Sequence, residues 1–157
     1  MVWMADHDIR IPAILACMEQ SIENDAGCFC CGTQNEHGLH LRFLYPVSGE
    51  AEASLVVPEY FSGWKSMTHG GFLSMLLDEA MAHACIHVAD SPVDRTAVTA
   101  EMTVRFKKPV ETGTRVRIAG RVVETKGRIL STHGAVYDES GALAAEATAR
   151  FLVSTQK

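Results

Sequence analysis

The sequence predicts an α+β domain in which one long helix lies against a curved antiparallel sheet. A run of about 19 residues, 70–88, is apolar on nearly every side, as a helix enclosed by other elements is. Several segments of alternating apolar and polar residues surround this run in the sequence and predict strands. Strands of about ten residues span roughly 33 Å and the helix roughly 28 Å, so a curled sheet fits around it lengthwise.

Length and composition limit the class of protein. The chain has 157 residues, the size of one domain with a substantial core. Its residues are 47% hydrophobic and 21% charged, which excludes a disordered chain and a disulfide miniprotein. The net charge of −5 argues against a nucleic-acid binder. We expect a single domain over 1–157, with 1–26 as an N-terminal helical extension.

The first half of the chain predicts a helix and a hairpin. Apolar residues at helical spacing predict a short amphipathic helix over about 8–23. A loop rich in turn residues follows. Two alternating runs, 39–45 and 51–57, with a turn at 46–49 between them, then predict a β-hairpin.

The long helix is predicted over about 70–88. It contains Asp78, Glu79, His83 and His87, which would be costly in lipid, so the run is interpreted as a buried helix and no membrane partner is expected. Four alternating runs after it predict four long strands, over about 96–106, 114–124, 128–137 and 142–153.

One long helix wrapped by about six antiparallel strands is the layout called the hotdog fold. A sheet of this kind leaves edge strands, and pairing two such sheets side by side protects them. We therefore expect a homodimer or a dimer of dimers. The N-terminus lacks the pattern of a signal peptide, and five cysteines show no disulfide framework, so a cytoplasmic protein with free thiols is expected.

The motif with the clearest chemistry is His69-Gly70-Gly71, which opens the long helix. Unpaired backbone N–H groups and the positive end of the dipole hold a polarised carbonyl oxygen at such a position, and glycine lets a ligand approach closely. Asp78 lies nine residues after His69 among apolar neighbours. A carboxylate in such surroundings indicates a functional site.

Further motifs follow in a fixed order through the chain after residue 27: Cys28-Phe29-Cys30-Cys31-Gly32 with Asn35 and Gly38-Leu39, Gly63-Trp64, His69-Gly70-Gly71, Asp78-Glu79-Ala80-Met81, Thr99-Ala100, Phe106-Lys107-Lys108-Pro109, and Ala149-Arg150-Phe151-Leu152. This ordered set resembles the hotdog-fold acyl-CoA thioesterases, in particular the phenylacetate-pathway-like group related to 4-hydroxybenzoyl-CoA thioesterases.

The resemblance implies an enzyme that hydrolyses an acyl-CoA to a free acid and CoA without a cofactor. It implies that Asp78 is a general base on water, or a nucleophile that forms a mixed anhydride. It places the oxyanion donor at the backbone N–H of Gly70, with His69 orienting the site and the Thr99 hydroxyl positioning water. In this family the carboxylate and the donor usually come from different subunits, so activity would require the dimer.

Charge indicates where CoA binds. Residues 101–128 hold eight basic and three acidic residues, a net charge of +5 against −10 for the rest of the chain. A basic patch suits the phosphates of CoA, although basic side chains also simply solvate the outer face of strands. The predicted substrate-binding residues are Trp64, Gly71, Lys107, Lys108 and Arg128.

Two metal hypotheses arise from the sequence, and no metal site is predicted. The stripe of Glu79, His83 and His87 has helical spacing but no fourth ligand. The cysteines at 28, 30 and 31, with His37 and His40, lack the second, separated ligand pair of a typical zinc site.

Two other functions stay open at this point. A non-catalytic acyl-CoA-binding protein would keep the same pocket and basic patch. A hotdog hydratase or dehydratase would need a histidine and a carboxylate at a different spacing. The acyl group is not determined by these patterns.

Overall fold

The computed structural model describes residues 26–88 and 95–155, so the helix predicted over 8–23 lies outside the described residues. The described elements are β1 (Glu50–Val56), a short 3-10 turn (Glu59–Phe61), α1 (Gly70–Ile86), β2 (Arg95–Phe106), β3 (Arg115–Lys126), β4 (Ile129–Tyr137) and β5 (Leu143–Thr155). The predictions of a long helix, a strand before it and four long strands after it are confirmed.

The strands form one antiparallel sheet in the order β1-β3-β4-β5-β2. The helix α1 packs against all five strands of this sheet. The inward side chains of β3 alternate with exposed ones, as expected when one face of a sheet is buried. This arrangement is the predicted hotdog fold, with β1 and β2 at the two edges.

The helix α1 is enclosed, as its apolar composition predicts. Nine of its 17 residues are buried: Phe72, Leu73, Leu76, Leu77, Ala80, Met81, His83, Ala84 and Cys85. No helix in the described part of the chain is both long and apolar enough to cross a membrane.

Two glycines set the distance between the helix and the sheet. Gly120 on β3 pairs with Gly134 on β4. A Cβ atom added at Gly120 would lie 2.2 Å from the carbonyl oxygen of Ala80, so the helix backbone rests directly on the strand there. A Cβ atom at Gly134 would instead meet the side chains of Met81 and Leu77 at 3.1 to 3.2 Å. The close approach at Gly120 and Gly134 sets the distance between the central turns of α1 and the sheet.

The predicted strand over 39–45 is wrong. The described sheet therefore has five strands rather than about six. Only Leu44 of this segment pairs with β1, in an isolated bridge to Glu52 with two backbone hydrogen bonds of 2.8 Å.

Before Leu44, the backbone of this segment bonds to the preceding loop instead of to β1. The N–H of Leu39 donates to the carbonyl of Phe29 at 2.9 Å, and that of Leu41 donates to Cys30 at 2.8 Å. His40 between them has a φ of 50°, which interrupts an extended chain. The segment is thus a loop that covers α1, although its apolar residues alternate as in a strand. A local pattern of alternation does not specify which backbone groups a segment bonds to.

Candidate active site

The first turn of α1 is organised by His69. This residue is the N-cap, with extended backbone angles, and its Nδ1 atom accepts a hydrogen bond from the Gly71 N–H at 2.9 Å. The N–H groups of Phe72 and Leu73 bond to the His69 carbonyl at 2.9 and 3.3 Å. The Gly71 N–H is therefore used by the cap.

The Gly70 N–H is the free donor of this turn: among the described residues it has no hydrogen-bond partner. The ring of Phe106, at the end of β2, lies beside it, since a Cβ atom at Gly70 would be 3.1 Å from Phe106 Cζ. Phe106 is 54% exposed, so an apolar wall and an unpaired N–H group lie together at the surface. This combination suits a polarised carbonyl oxygen on an apolar chain.

Asp78 is held by Thr99 across the helix–sheet boundary. The Thr99 hydroxyl donates to Asp78 Oδ1 at 2.6 Å, and both side chains are half-buried. The register of β2 against β5 shifts between Thr99 and Glu101, so Ala100 is an extra residue in a β-bulge. Because a bulge changes which side chains face inward, it directs Thr99 towards α1 and keeps Met102 inward as well.

Burial raises the pKa of the Asp78 carboxyl above its ordinary value, and the neighbouring charge of Glu79 adds to this effect. The hydrogen bond from Thr99 acts in the opposite direction. Asp78 is thus a partly desolvated carboxylate with one oxygen committed to a donor, an arrangement that suits a proton acceptor.

Asp78 and Gly70 are far apart within one chain. They are eight residues apart on one helix, which corresponds to about 12 Å along its axis. A base and an oxyanion donor that act on one thioester have to lie within about 3 Å of the same reacting group. A single protomer therefore does not bring the two groups to one substrate.

Glu79 faces a different environment, formed by the loop that contains the cysteines. The Cys28 thiol donates to Glu79 Oε1 at 3.6 Å, and His83 Nε2 lies 3.3 Å from the same oxygen. Burial alone would raise the pKa of this carboxyl, but hydrogen bonds from His83 and the thiols of Cys31 and Cys28 outweigh it. The pKa of Glu79 is therefore lowered.

Aromatic side chains from 43–45 cover the histidines of α1. The ring of Phe43 stacks on His83 at 4.0 Å, and the ring of Tyr45 stacks on His87 at 3.4 Å between centroids. The Tyr45 hydroxyl is also 2.7 Å from His83 Nδ1. Residues 43–45 and the loop that contains the cysteines therefore cover the stripe of Glu79, His83 and His87.

The predicted CoA-binding residues occupy two ends of the sheet. Lys107 and Lys108 follow Phe106; the former pairs with Glu146 at 2.9 Å and the latter with Asp138. Arg128 lies in the β3–β4 turn and donates to the Val153 carbonyl at 3.2 Å. The two ends are about 26 Å apart along β5, so one protomer does not bring Arg128 to the lysines.

Trp64 precedes α1 in the loop after the 3-10 turn and is 72% exposed. Gly71 is exposed on the first turn of the helix. Both lie close to Gly70 in the sequence, and their roles in substrate binding stay predictions.

Sequence reasoning missed two parts of this region. The first is the proximity of Phe106 to Gly70, which depends on how β2 runs along α1. Phe106 directly precedes the two predicted lysines, but its position in the sequence does not show this contact. The second is the contact of Cys28 with Glu79. These residues are 51 positions apart, and no motif in the sequence near either of them indicates the contact.

Comparisons with known proteins agree with this architecture. The sequence model of the family described as "Thioesterase superfamily" matches residues 66–145. No curated protein matches the chain.

Solved structures are similar to most of the chain. Protein smu.793 of Streptococcus mutans UA159, bound to acetyl CoA, has 19% identity and a TM-score of 0.66, over 74% of this chain and 90% of that one. The PaaI protein of the E. coli phenylacetic acid degradation operon has 19% identity and a TM-score of 0.65, over 73% and 79%. A mutant of the phenylacetic acid degradation protein PaaI of Thermus thermophilus has 28% identity and a TM-score of 0.62, over 71% and 91%.

Proposed function

Because the chain belongs to the thioesterase superfamily, we propose that it hydrolyses the thioester of an acyl-CoA to a free acid and CoA. The observation that carries this proposal is the 2.6 Å hydrogen bond by which Thr99 fixes the half-buried carboxylate of Asp78. Thioester hydrolysis needs such a base or nucleophile and a donor for the oxyanion, and the free Gly70 N–H is that donor. Similarity to a protein solved with acetyl CoA supports CoA thioesters as the substrate class.

In the proposed reaction, water attacks the thioester carbonyl carbon and gives a proton to Asp78. The carbonyl oxygen becomes an oxyanion and accepts a hydrogen bond from the Gly70 N–H. The oxyanion then re-forms the C=O bond, the C–S bond breaks, and the CoA sulfur takes the proton from Asp78. Direct attack by Asp78 would use the same two groups, with water hydrolysing a mixed anhydride in the second step.

The proposed site needs two copies of the chain. Since about 12 Å of helix separate Gly70 from Asp78, the Gly70 N–H of a second copy has to complete the site around each Asp78. We propose a homodimer for this reason. Two composite sites related by a two-fold axis would result.

The nucleotide of CoA is proposed to bind Lys107 and Lys108. They follow Phe106, whose ring lies beside the oxyanion donor, so a substrate whose carbonyl reaches Gly70 passes near them. Their side chains are 44% and 50% exposed, which leaves them accessible to phosphates despite their carboxylate partners. Arg128 has no such connection within the protomer.

The test is CoA release from a panel of acetyl, hexanoyl, decanoyl, palmitoyl, phenylacetyl and hydroxybenzoyl thioesters, measured by chromatography so that protein thiols do not interfere. Asp78→Asn is expected to lower turnover by about 10²-fold or more, since it removes the general base. Glu52→Gln on β1 removes a carboxylate that pairs with Arg117 at the surface, and it is expected to keep wild-type turnover.

Two outcomes would contradict the proposal. Saturable binding of CoA esters by the wild type without turnover would indicate a non-catalytic acyl-CoA-binding protein. Full turnover by a folded Asp78→Asn variant would remove Asp78 from the chemistry.

A further inference from the structure

The fold joins two sets of metal-ligand residues that looked incomplete in the sequence. Cys28 and Cys31 lie in the loop before β1, and Glu79 lies in the middle of α1. Their ligand atoms, two Sγ atoms and one carboxylate oxygen, all lie within 4.8 Å of one another, and all three residues are half-buried. None of these contacts involves Asp78 or Gly70, so the cluster is separate from the proposed active site.

The turn that carries the cysteines is shaped to present both sulfur atoms to one side. The spacing Cys28-x-x-Cys31 is typical of a metal-binding turn. The Cys30 N–H donates to Cys28 Sγ at 3.3 Å, and the Gly32 N–H donates to the Cys28 carbonyl at 3.0 Å. These two hydrogen bonds fix the Cys28 sulfur and the turn that follows it.

Gly32 is required for this turn. A Cβ atom there would lie 2.4 Å from the backbone nitrogen of Cys28 and 2.6 Å from the carbonyl oxygen of Ala26. Since backbone atoms cannot move aside as a flexible side chain does, no other residue fits. The tight turn that brings Cys28 and Cys31 together therefore depends on glycine at position 32.

The third ligand atom is held from the opposite side. His83 Nε2 lies 3.3 Å from Glu79 Oε1, and the Tyr45 hydroxyl lies 2.7 Å from His83 Nδ1. Carboxylate and imidazole groups that are oriented by outer partners are characteristic of metal sites. His83 Nε2 is also the nitrogen donor closest to Glu79 Oε1 among the described contacts.

We propose that Cys28, Cys31 and Glu79 bind a zinc ion. Two thiolates with one oxygen ligand favour Zn²⁺ over Mg²⁺ or Ca²⁺, which prefer oxygen ligands alone. A divalent cation also offsets two of the three negative charges that two thiolates and a carboxylate would bring together in a half-buried site. Water fills the fourth position, and His83 orients Glu79 as an outer partner. The ion fastens the loop over 26–43 to α1, one residue away from Asp78.

The first experiment measures metal in the full-length protein purified without chelators and under reducing conditions. We expect about one zinc per chain. Replacement of zinc by Co²⁺ is expected to give thiolate-to-cobalt charge-transfer absorption and the visible bands of a tetrahedral site. X-ray absorption at the zinc edge is expected to show sulfur neighbours at about 2.3 Å together with oxygen or nitrogen at about 2.0 Å.

Variants assign the ligands. Cys28→Ser and Cys31→Ser are each expected to remove the charge-transfer band, and Glu79→Gln is expected to weaken cobalt binding by more than about 10-fold, the loss seen even for outer partners of a metal. The matched control is His37→Gln, which changes an exposed histidine of the same loop outside the cluster. It is expected to bind cobalt as the wild type does, and circular dichroism reports whether each variant is folded.

Several results would overturn the proposal. One is the absence of stoichiometric metal both after purification and after incubation of the reduced protein with Zn²⁺ or Co²⁺. Another is a zinc-edge spectrum without sulfur neighbours, which needs no variant and so does not depend on how the variants fold. A third is cobalt binding that survives in both cysteine variants. None of these readouts involves thioesterase activity, so they are independent of the proposed function.

Discussion

At the scale of the residue, Gly70 offers a way to delete one N–H group and leave the helix intact. Gly70 is the first helical residue, a position where proline is well tolerated. The preceding residue, His69, has a ψ of 131°, the extended conformation that proline requires before it. Gly70→Pro is therefore expected to keep the fold and to lower kcat by about 10²- to 10³-fold, the cost of losing one oxyanion donor.

The control for that variant is Gly70→Ala, which keeps the N–H and adds a methyl group 3.1 Å from Phe106 Cζ. Because the Phe106 ring is partly exposed, it can move aside, so most activity should be retained. Steady-state kinetics and thermal unfolding of both variants are the measurements. Wild-type kcat in a folded Gly70→Pro enzyme would exclude the Gly70 N–H as the oxyanion donor.

Lys107 and Lys108 can be tested with a truncated substrate. The double change Lys107→Ala and Lys108→Ala is expected to raise KM for an acyl-CoA by about two- to fivefold, the effect of losing exposed ionic contacts, with little change in kcat. For a thioester of the same acyl group that lacks the nucleotide, KM should not change. An equal rise in KM for both substrates would show that the lysines do not act through the CoA phosphates.

The site could be predicted from the sequence where its residues lie close together along the chain. Gly70 and Asp78 share one helix, whose N-cap is His69, and a helix fixes the relative positions of its residues from spacing alone. The contact between Cys28 and Glu79 could not be predicted, because it depends on how a loop with a left-handed residue folds over that helix. Judged on local spacing alone, the helical stripe and the cysteine loop each therefore supplied too few ligands for a metal site.

At the scale of the element, the contact between α1 and β3 at Gly120 is the least tolerant of change. Gly120→Ala would place a methyl group against the backbone of Ala80, and backbone atoms cannot yield without moving the helix. The variant is expected to lower the free energy of unfolding by about 1–3 kcal/mol, as overpacking does. Chemical denaturation measures this change.

Gly134→Ala is the matched comparison for that variant. It adds the same methyl group on the neighbouring strand, but the methyl meets the ends of the Met81 and Leu77 side chains. These side chains can adjust, so Gly134→Ala should be the less destabilising of the two. The reverse order would show that the strand, and not the helix backbone, relieves the contact at Gly120.

Most elements could be predicted from alternation, and the exceptions have identifiable causes. Along β2, Ala97 and Thr99 face α1, and then Met102 and Val104 do, with two residues between Thr99 and Met102 where regular alternation has one. That change of phase is visible in the sequence and corresponds to the bulge at Ala100. The loop over 39–45 alternates without a break, so its pattern could not be distinguished from that of a strand.

At the scale of the whole molecule, the proposed composite site predicts a result for mixed dimers. Asp78→Asn and Gly70→Pro are each expected to be inactive as homodimers. When equal amounts of the two chains are dissociated and reassociated, half of the dimers are mixed, and each mixed dimer has one intact site of two. Activity should return to about a quarter of the wild-type value, as two-fold symmetry requires.

The measurement is turnover before and after exchange of subunits, with each variant carried through the same procedure alone. Activity that does not return, although subunit exchange is demonstrated with a tagged chain, would place both groups of one site within one protomer.

In the proposed composite site, the length of α1 between Gly70 and Asp78 also determines the rate law. When association is weak relative to the working concentration, the number of competent sites grows with the square of the total chain concentration, because each site must be assembled from two molecules. Specific activity would then decline as the solution is diluted, even though every chain stays folded. Under the proposal, each 17.1 kDa chain contributes one half to each of two sites, and about 12 Å of helix joins these halves.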